Sequence, residues 1–157
     1  MFTPQEHLDD LVRHINMVRD NCLLLGERIM AKGRVKFGLA LIARGFSHDV
    51  SKFSGIEWDY LHAGNDTPKE QLMLAVKQHN HTNDHHPEFW GGIDEMPPLA
   101  VAEMVCDWLA RSQERGTNVR DWIKNEGIER FKIDVNGEQY KLIQEYLSIL
   151  LQDSFVR

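Results

Sequence analysis

Residues 8–29 read LDDLVRHINMVRDNCLLLGERI, and the period of this stretch decides the fold. Leu8, Leu11, Ile15, Val18, Cys22, Leu25 and Ile29 recur at spacings of three and four. That spacing puts them in one stripe along a long helix. His14 sits on the edge of the stripe, one turn from Leu11 and one from Val18. A single histidine on an apolar face is more often a satisfied core residue than a ligand. His7 lies two turns earlier on nearly the same face and competes with His14 for any role in a site.

Helical signals continue outward from this stretch. Gly33 interrupts the first helix, and an apolar run from Val35 to Phe46 predicts a central second helix, closed near Gly45. Ser54-Gly55-Ile56-Glu57 and Thr67-Pro68-Lys69-Glu70 have the form of capping boxes. They predict a short helix through Trp58 and Leu61 and a longer one ending near His79 or His81, with a turn at Gly64-Asn65-Asp66 between them. Glu57 and Glu70 are thereby assigned structural roles. Pro87, Gly91, Gly92, Pro97 and Pro98 predict an irregular loop over 83–98. A strong helix follows from Pro98 to near Gly116. A shorter one is predicted over 118–126, stopped by Gly127, with an ambiguous segment open to extended structure over 128–133. A last amphipathic helix is predicted over 139–151. No repeat and no alternating strand series interrupts the pattern. The chain therefore predicts one all-α domain over residues 1–157, a compact bundle of six or seven helices.

Composition narrows the function. The 157 residues suffice for one domain with a sizeable core. A formal net charge of -6 without a long basic run argues against a nucleic-acid polymer as partner. It leaves room for a small phosphate ester or nucleotide, which one local cation and a metal can hold. No apolar stretch reaches the length of a bilayer span, and the N-terminus lacks a signal pattern, so the chain reads as cytoplasmic with no membrane partner. Cys22 and Cys106 fall in apolar helical patterns and read as buried, reduced thiols.

The chemistry gathers around His48-Asp49-Val50-Ser51-Lys52. His14 stands upstream, His79, His85 and His86 downstream, and Asp107 in the following helix. Imidazole nitrogens and carboxylate oxygens are the ligands that Mn, Fe, Co, Ni and Zn accept. Adjacent His48 and Asp49 serve one ion only where the backbone turns both side chains inward, as a helix end permits. A buried Asp107 needs a partner. Arg111, one turn on, would satisfy it as a plain salt bridge.

His14, the apolar helix, His48-Asp49 with Lys52 three residues on, and a distant helical Asp107 together resemble the HD superfamily of metal-dependent phosphohydrolases. The run His79-x3-Asn83-x-His85-His86-Pro87-Glu88-Phe89-Trp90 is similar to a small bacterial and phage branch of HD-like proteins. It is also similar to the second-metal histidines of the HD-GYP phosphodiesterases and the di-iron HD oxygenases. The resemblance covers residue 14 to about residue 110. It departs at Phe89-Trp90-Gly91-Gly92, where no GYP tripeptide follows the double histidine.

The resemblance implies an HD-domain-like fold and a metal-dependent phosphohydrolase. Such an enzyme is expected to act on a nucleotide or related small phosphate ester through metal-bound hydroxide. His14, His48, Asp49 and Asp107 are implied as ligands of one divalent transition-metal ion, with Mn, Fe, Co or Ni favoured over Zn. His79 with His85 or His86 would hold a second ion, or would serve phosphate directly. Asp49, Lys52 and His79 are the expected catalytic residues, with Lys52 neutralising charge on the phosphate. Trp90 is the expected wall of a substrate pocket. A di-iron HD-type oxygenase and a non-catalytic ligand-binding module are the alternative readings.

Overall fold

The computed structural model describes residues 3–62 and 66–153. The expected turn at Gly64-Asn65-Asp66 lies partly outside them. Seven α-helices and no strand form among the described residues, as the helical periodicity predicts. Helix α1 (Pro4–Ala31) opens on a capping box between Thr3 and Glu6, with Pro4 in its first turn. Helices α2 (Val35–Ser47), α3 (Gly55–Tyr60), α4 (Lys69–Thr82) and α5 (Pro98–Arg115) follow. Helix α6 runs without a break through Val119–Trp122, a π turn at Ile123–Gly127 and Ile128–Phe131. Helix α7 (Glu138–Leu151) closes the bundle.

Helix α5 occupies the centre. Its residues from Ala100 to Cys106 are buried in succession, and they pack on Val18, Cys22, Leu25 and Ile29 of α1 and on Ile143, Tyr146 and Leu147 of α7. Helix α2, expected to be central, lies on the outside. It buries Gly38, Leu41 and Gly45, while Leu39 is 55% and Phe46 59% exposed. Its small residues face α1. A Cβ added at Gly26 would stand 2.8 Å from the Gly38 carbonyl oxygen, and one at Gly45 would stand 2.6 Å from Cys22 Cβ. The two backbones approach too closely for side chains between them, so the larger apolar groups of α2 are left pointing outward. The Arg19 guanidinium lies over the Phe46 ring at 4.6 Å. Gly45 does not end the helix, which continues to Ser47.

Local signals also yield to packing elsewhere. Neither predicted capping box at Ser54 or Thr67 forms: the residues that cap α3 and α4 are Ser54 and Pro68, and neither makes a side-chain cap bond. Gly127 does not stop α6, and the segment after it is helical rather than extended. Trp108 on α5 sits 5.2 Å from Trp122 and 5.4 Å from Phe131, ring centre to ring centre, so both halves of α6 are pinned to one aromatic cluster. The loop after α4 is irregular as predicted, with two short 3₁₀ turns at Pro87–Trp90 and Ile93–Glu95. Gly91 and Gly92 adopt φ values of 79° and 152°, which side chains other than glycine rarely take.

Candidate metal centre

Two successive residues point the same way because the chain turns sharply between them. Helix α2 ends at its cap His48, and Asp49 adopts a left-handed conformation, φ 55° and ψ 19°. Aspartate tolerates that region better than most residues. Both side chains enter the interior, where Asp49 is 1% exposed. The following 3₁₀ turn, Val50–Phe53, returns Lys52 so that its Nζ donates to Asp49 Oδ2 at 2.6 Å.

Four further elements bring ligands to Asp49. Oδ2 faces His48 Nε2 at 3.4 Å and His14 Nε2, from α1, at 4.0 Å. Oδ1 faces His79 Nε2, from the end of α4, at 3.2 Å and His85 Nε2, from the loop, at 3.3 Å. His86 packs beside them, its ring centre 4.2 Å from that of His85 and 4.8 Å from that of His79. Asp107 of α5 completes the group, with Oδ1 3.0 Å from His14 Nε2. About Asp49 stand His14 and His48 on one side and His79, His85 and His86 on the other, and Asp107 reaches both, with Oδ1 toward His14 and His48 and Oδ2 3.7 Å from His85 Nε2. Donor atoms of Asp49, His79, His85 and His86 lie within 4.8 Å of one another, as do those of His14, His48 and Asp49. These buried groups are able to hold metal ions.

Carboxylates hold the outer nitrogens of four of the rings. His48 Nδ1 donates to Glu103 Oε1 at 2.8 Å, and His85 Nδ1 approaches the same oxygen at 3.3 Å. His79 Nδ1 donates to Glu57 Oε2 at 2.7 Å, and His14 Nδ1 to Glu114 Oε1 at 3.2 Å. An ionised carboxylate only accepts, so each Nδ1 carries a proton and each Nε2 is the nitrogen turned toward the cluster. Among the described residues the inward atoms have no hydrogen-bond partner: Nε2 of His14, His48, His85 and His86, Oδ1 of Asp49 and Oδ1 of Asp107. They lie close together yet are misaligned for bonding to one another. Buried polar atoms in that state need a partner.

The electrostatics favour a cation. Burial raises the Asp49 pKa, but His48 and Lys52 more than offset this and hold it well below the usual carboxylate range. Asp107 is likewise lowered, with burial outweighed by His14 and His48. Glu103 is brought down to about 2 against burial, by His48 and His85. Burial lowers His48, yet Asp49 and Glu103 leave it well above its ordinary value, so a metal ion at Nε2 would take the place of a proton there. Burial and the neighbouring His85 and His79 lower His86 to about 3, so it presents a neutral imidazole.

A cavity of about 720 Å³ opens onto the cluster, and its walls include His14, His79, His86, Asp107 and Lys52. Leu11, Met17, Leu61 and Val76 give it apolar surface, and Arg13, Arg111 and Arg115 stand around it. A smaller cavity of about 290 Å³ reaches Asp49, His85 and Glu103 from the side of Arg44 and Asp84.

The model of a family of unknown function, DUF5662, matches residues 3–149. The chain belongs to that family. In this DUF5662 chain the match takes in every residue of the cluster, from His14 to Glu114. No curated protein and no solved structure matches the chain.

The seven ligand candidates read from the DUF5662 sequence, His14, His48, Asp49, His79, His85, His86 and Asp107, all converge, and Lys52 stands beside them. Other expectations are corrected. His7 packs on Trp58 and His62, with ring centres 4.5 and 5.1 Å away, and is not in the cluster. Arg111 pairs with Glu114, leaving Asp107 to the histidines. Trp90 is not on the wall of the large cavity; its indole N–H donates to the Asp84 carbonyl at 2.8 Å and ties down the loop. Glu57, assigned to a cap, is instead buried, where it accepts from Ser51 and His79. Glu103 and Glu114 had no role from sequence. Glu103 carried a signal: an acid one turn before Asp107, within an apolar helix.

Proposed function

We propose that this chain is an HD-like metal-dependent phosphohydrolase that acts on a nucleotide or related small phosphate ester. The observation that carries the reading is the inward convergence of unpartnered imidazole nitrogens and carboxylate oxygens, with carboxylates fixing the outer nitrogens. That is the arrangement by which proteins orient metal-binding histidines. His14, His48, Asp49 and Asp107 would hold one ion, and Asp49, His79, His85 and His86 a second. Four protein ligands per ion, with room needed for water and substrate, favour Mn, Fe, Co or Ni over tetrahedral Zn. When bound, such ions polarise a phosphoryl oxygen and acidify a water.

The protein's own groups do the rest. Lys52 lines the cavity, where its ammonium would offset charge that develops on the phosphoryl oxygens. Arg13, Arg111 and Arg115 draw an anionic ligand into a chain whose net charge is -6. Leu11, Met17, Leu61 and Val76 offer an apolar surface to the organic part of the ester. The volume suits a small molecule rather than a polymer.

The test is a phosphate-release and chromatographic screen over nucleoside mono-, di-, tri- and cyclic phosphates, with Mn, Fe, Co, Ni, Mg and Zn in turn. Selective turnover of one class, lost in His48→Ala and Asp107→Ala, supports the reading. No release of phosphate and no change in the chromatogram of any member of the panel refutes it. Oxygen uptake by the iron-loaded protein would then transfer the assignment to a di-iron oxygenase.

A further inference from the structure

We infer that Glu103, clamped by Arg44, is the positioning residue for both half-sites at once, so that the two ions are kept or lost together. The inference rests on the two-ion reading above. Glu103 Oε1 accepts from Nδ1 of His48, which belongs to the first half-site, at 2.8 Å. It lies 3.3 Å from Nδ1 of His85, which belongs to the second. The other oxygen, Oε2, accepts from Arg44 Nε at 2.6 Å. Nη1 and Nη2 of Arg44 each donate to a carboxylate oxygen of Asp84, the residue before His85, and Asp84 also holds the Trp90 indole through its carbonyl. One arginine of α2 thus fixes the acceptor for two imidazoles and anchors the loop that delivers His85 and His86.

The trio His48, His85 and Glu103 has donor atoms close enough to hold an ion of its own. The Arg44 contact argues against that use, because it would set a guanidinium against a metal cation. His48 Nδ1 donates to Glu103 and His85 Nδ1 faces the same oxygen, which leaves both Nε2 atoms for the cluster.

The other outer carboxylates supply internal controls. Among the cluster histidines Glu114 holds His14, in the first half-site, and Glu57 holds His79, in the second. Substitution at either should weaken one ion. Substitution at Glu103 or Arg44 should weaken two, although neither residue is a ligand in this arrangement.

The experiment is a cobalt(II) titration of the full chain, followed by d–d absorption and elemental analysis. The variants are Glu114→Gln, Glu57→Gln, Glu103→Gln, Arg44→Met and Arg44→Lys, with far-UV circular dichroism as the folding control. Wild type should take two equivalents. Glu114→Gln and Glu57→Gln should each weaken one site, whereas Glu103→Gln and Arg44→Met should each weaken both by about 10- to 100-fold, the range for outer partners of metal ligands. Arg44→Lys keeps a cation near Glu103 and should recover both sites in step. If Arg44→Met fails to fold, the near-isosteric Glu103→Gln carries the test. Two equivalents in wild type with only one site weakened by Glu103→Gln or Arg44→Met would overturn this inference and leave the two-ion reading. Fewer than two equivalents in wild type would overturn both.

Discussion

Replacing Asp49 by Asn removes the charge on which the cluster is centred and changes little in shape. The carboxylate is 1% exposed and lies within 4.0 Å of Lys52 Nζ and of Nε2 atoms of His14, His48, His79 and His85. Removing one member of a buried charged group costs about 3–5 kcal/mol, because its partners are left uncompensated. The lower end applies here, since the imidazoles can shed protons and Lys52 can turn toward the cavity. For a chain of this size about 3 kcal/mol corresponds to a fall in Tm of roughly 6–12 °C. Asp49→Ala should fall further, by about 1–2 kcal/mol, because alanine lacks the local polar contacts that ease a left-handed residue. Thermal melts followed by circular dichroism in the presence of a chelator measure both. Manganese titration should show that Asp49→Asn weakens both ions, since each half-site uses one carboxylate oxygen. An Asp49→Asn protein that melts within about 2 °C of wild type, inside the spread of an ordinary surface substitution, and binds manganese unchanged would refute the reasoning.

Three more outcomes are expected. Gly45→Leu forces side-chain atoms into Cys22, where even a Cβ would stand 2.6 Å away, and should cost about 1–3 kcal/mol in urea unfolding through overpacking. Cys22 and Cys106 are buried, and burial holds the Cys106 thiol well above its ordinary pKa, so neither should react with Ellman's reagent until the protein unfolds. The double variant Arg111→Ala/Arg115→Ala should raise KM for the phosphate ester that the screen identifies while leaving kcat near wild type, because these residues stand on the cavity wall and not among the cluster.

The candidate ligand set was legible because it consists of unusual residues on strongly periodic helices. The seven-residue stripe of α1 fixed the face of His14, and the end of α2 fixed the place of His48-Asp49. What stayed hidden depends on the distance between elements. Nothing local in Val35–Ser47 says that Gly26, Gly38 and Gly45 bring α1 and α2 into backbone contact, so α2 read as central. Glu57 met the local rule for a cap, but the buried His79 Nδ1 claimed it. Trp90 read as a ligand wall for want of knowledge that the Asp84 carbonyl stood nearby. Gly127 read as a stop, yet the aromatic cluster around Trp108 carries α6 through it.

The most direct test of the central claim is anomalous diffraction from crystals of the full chain loaded with manganese, recorded near the manganese absorption edge. Two peaks are predicted, about 3.5–4 Å apart as in other two-metal sites. One should lie among His14, His48, Asp49 and Asp107, and the other among Asp49, His79, His85 and His86. Peaks only at the protein surface, with the Nε2 atoms of these histidines bonded to ordered water or to one another, would contradict the account.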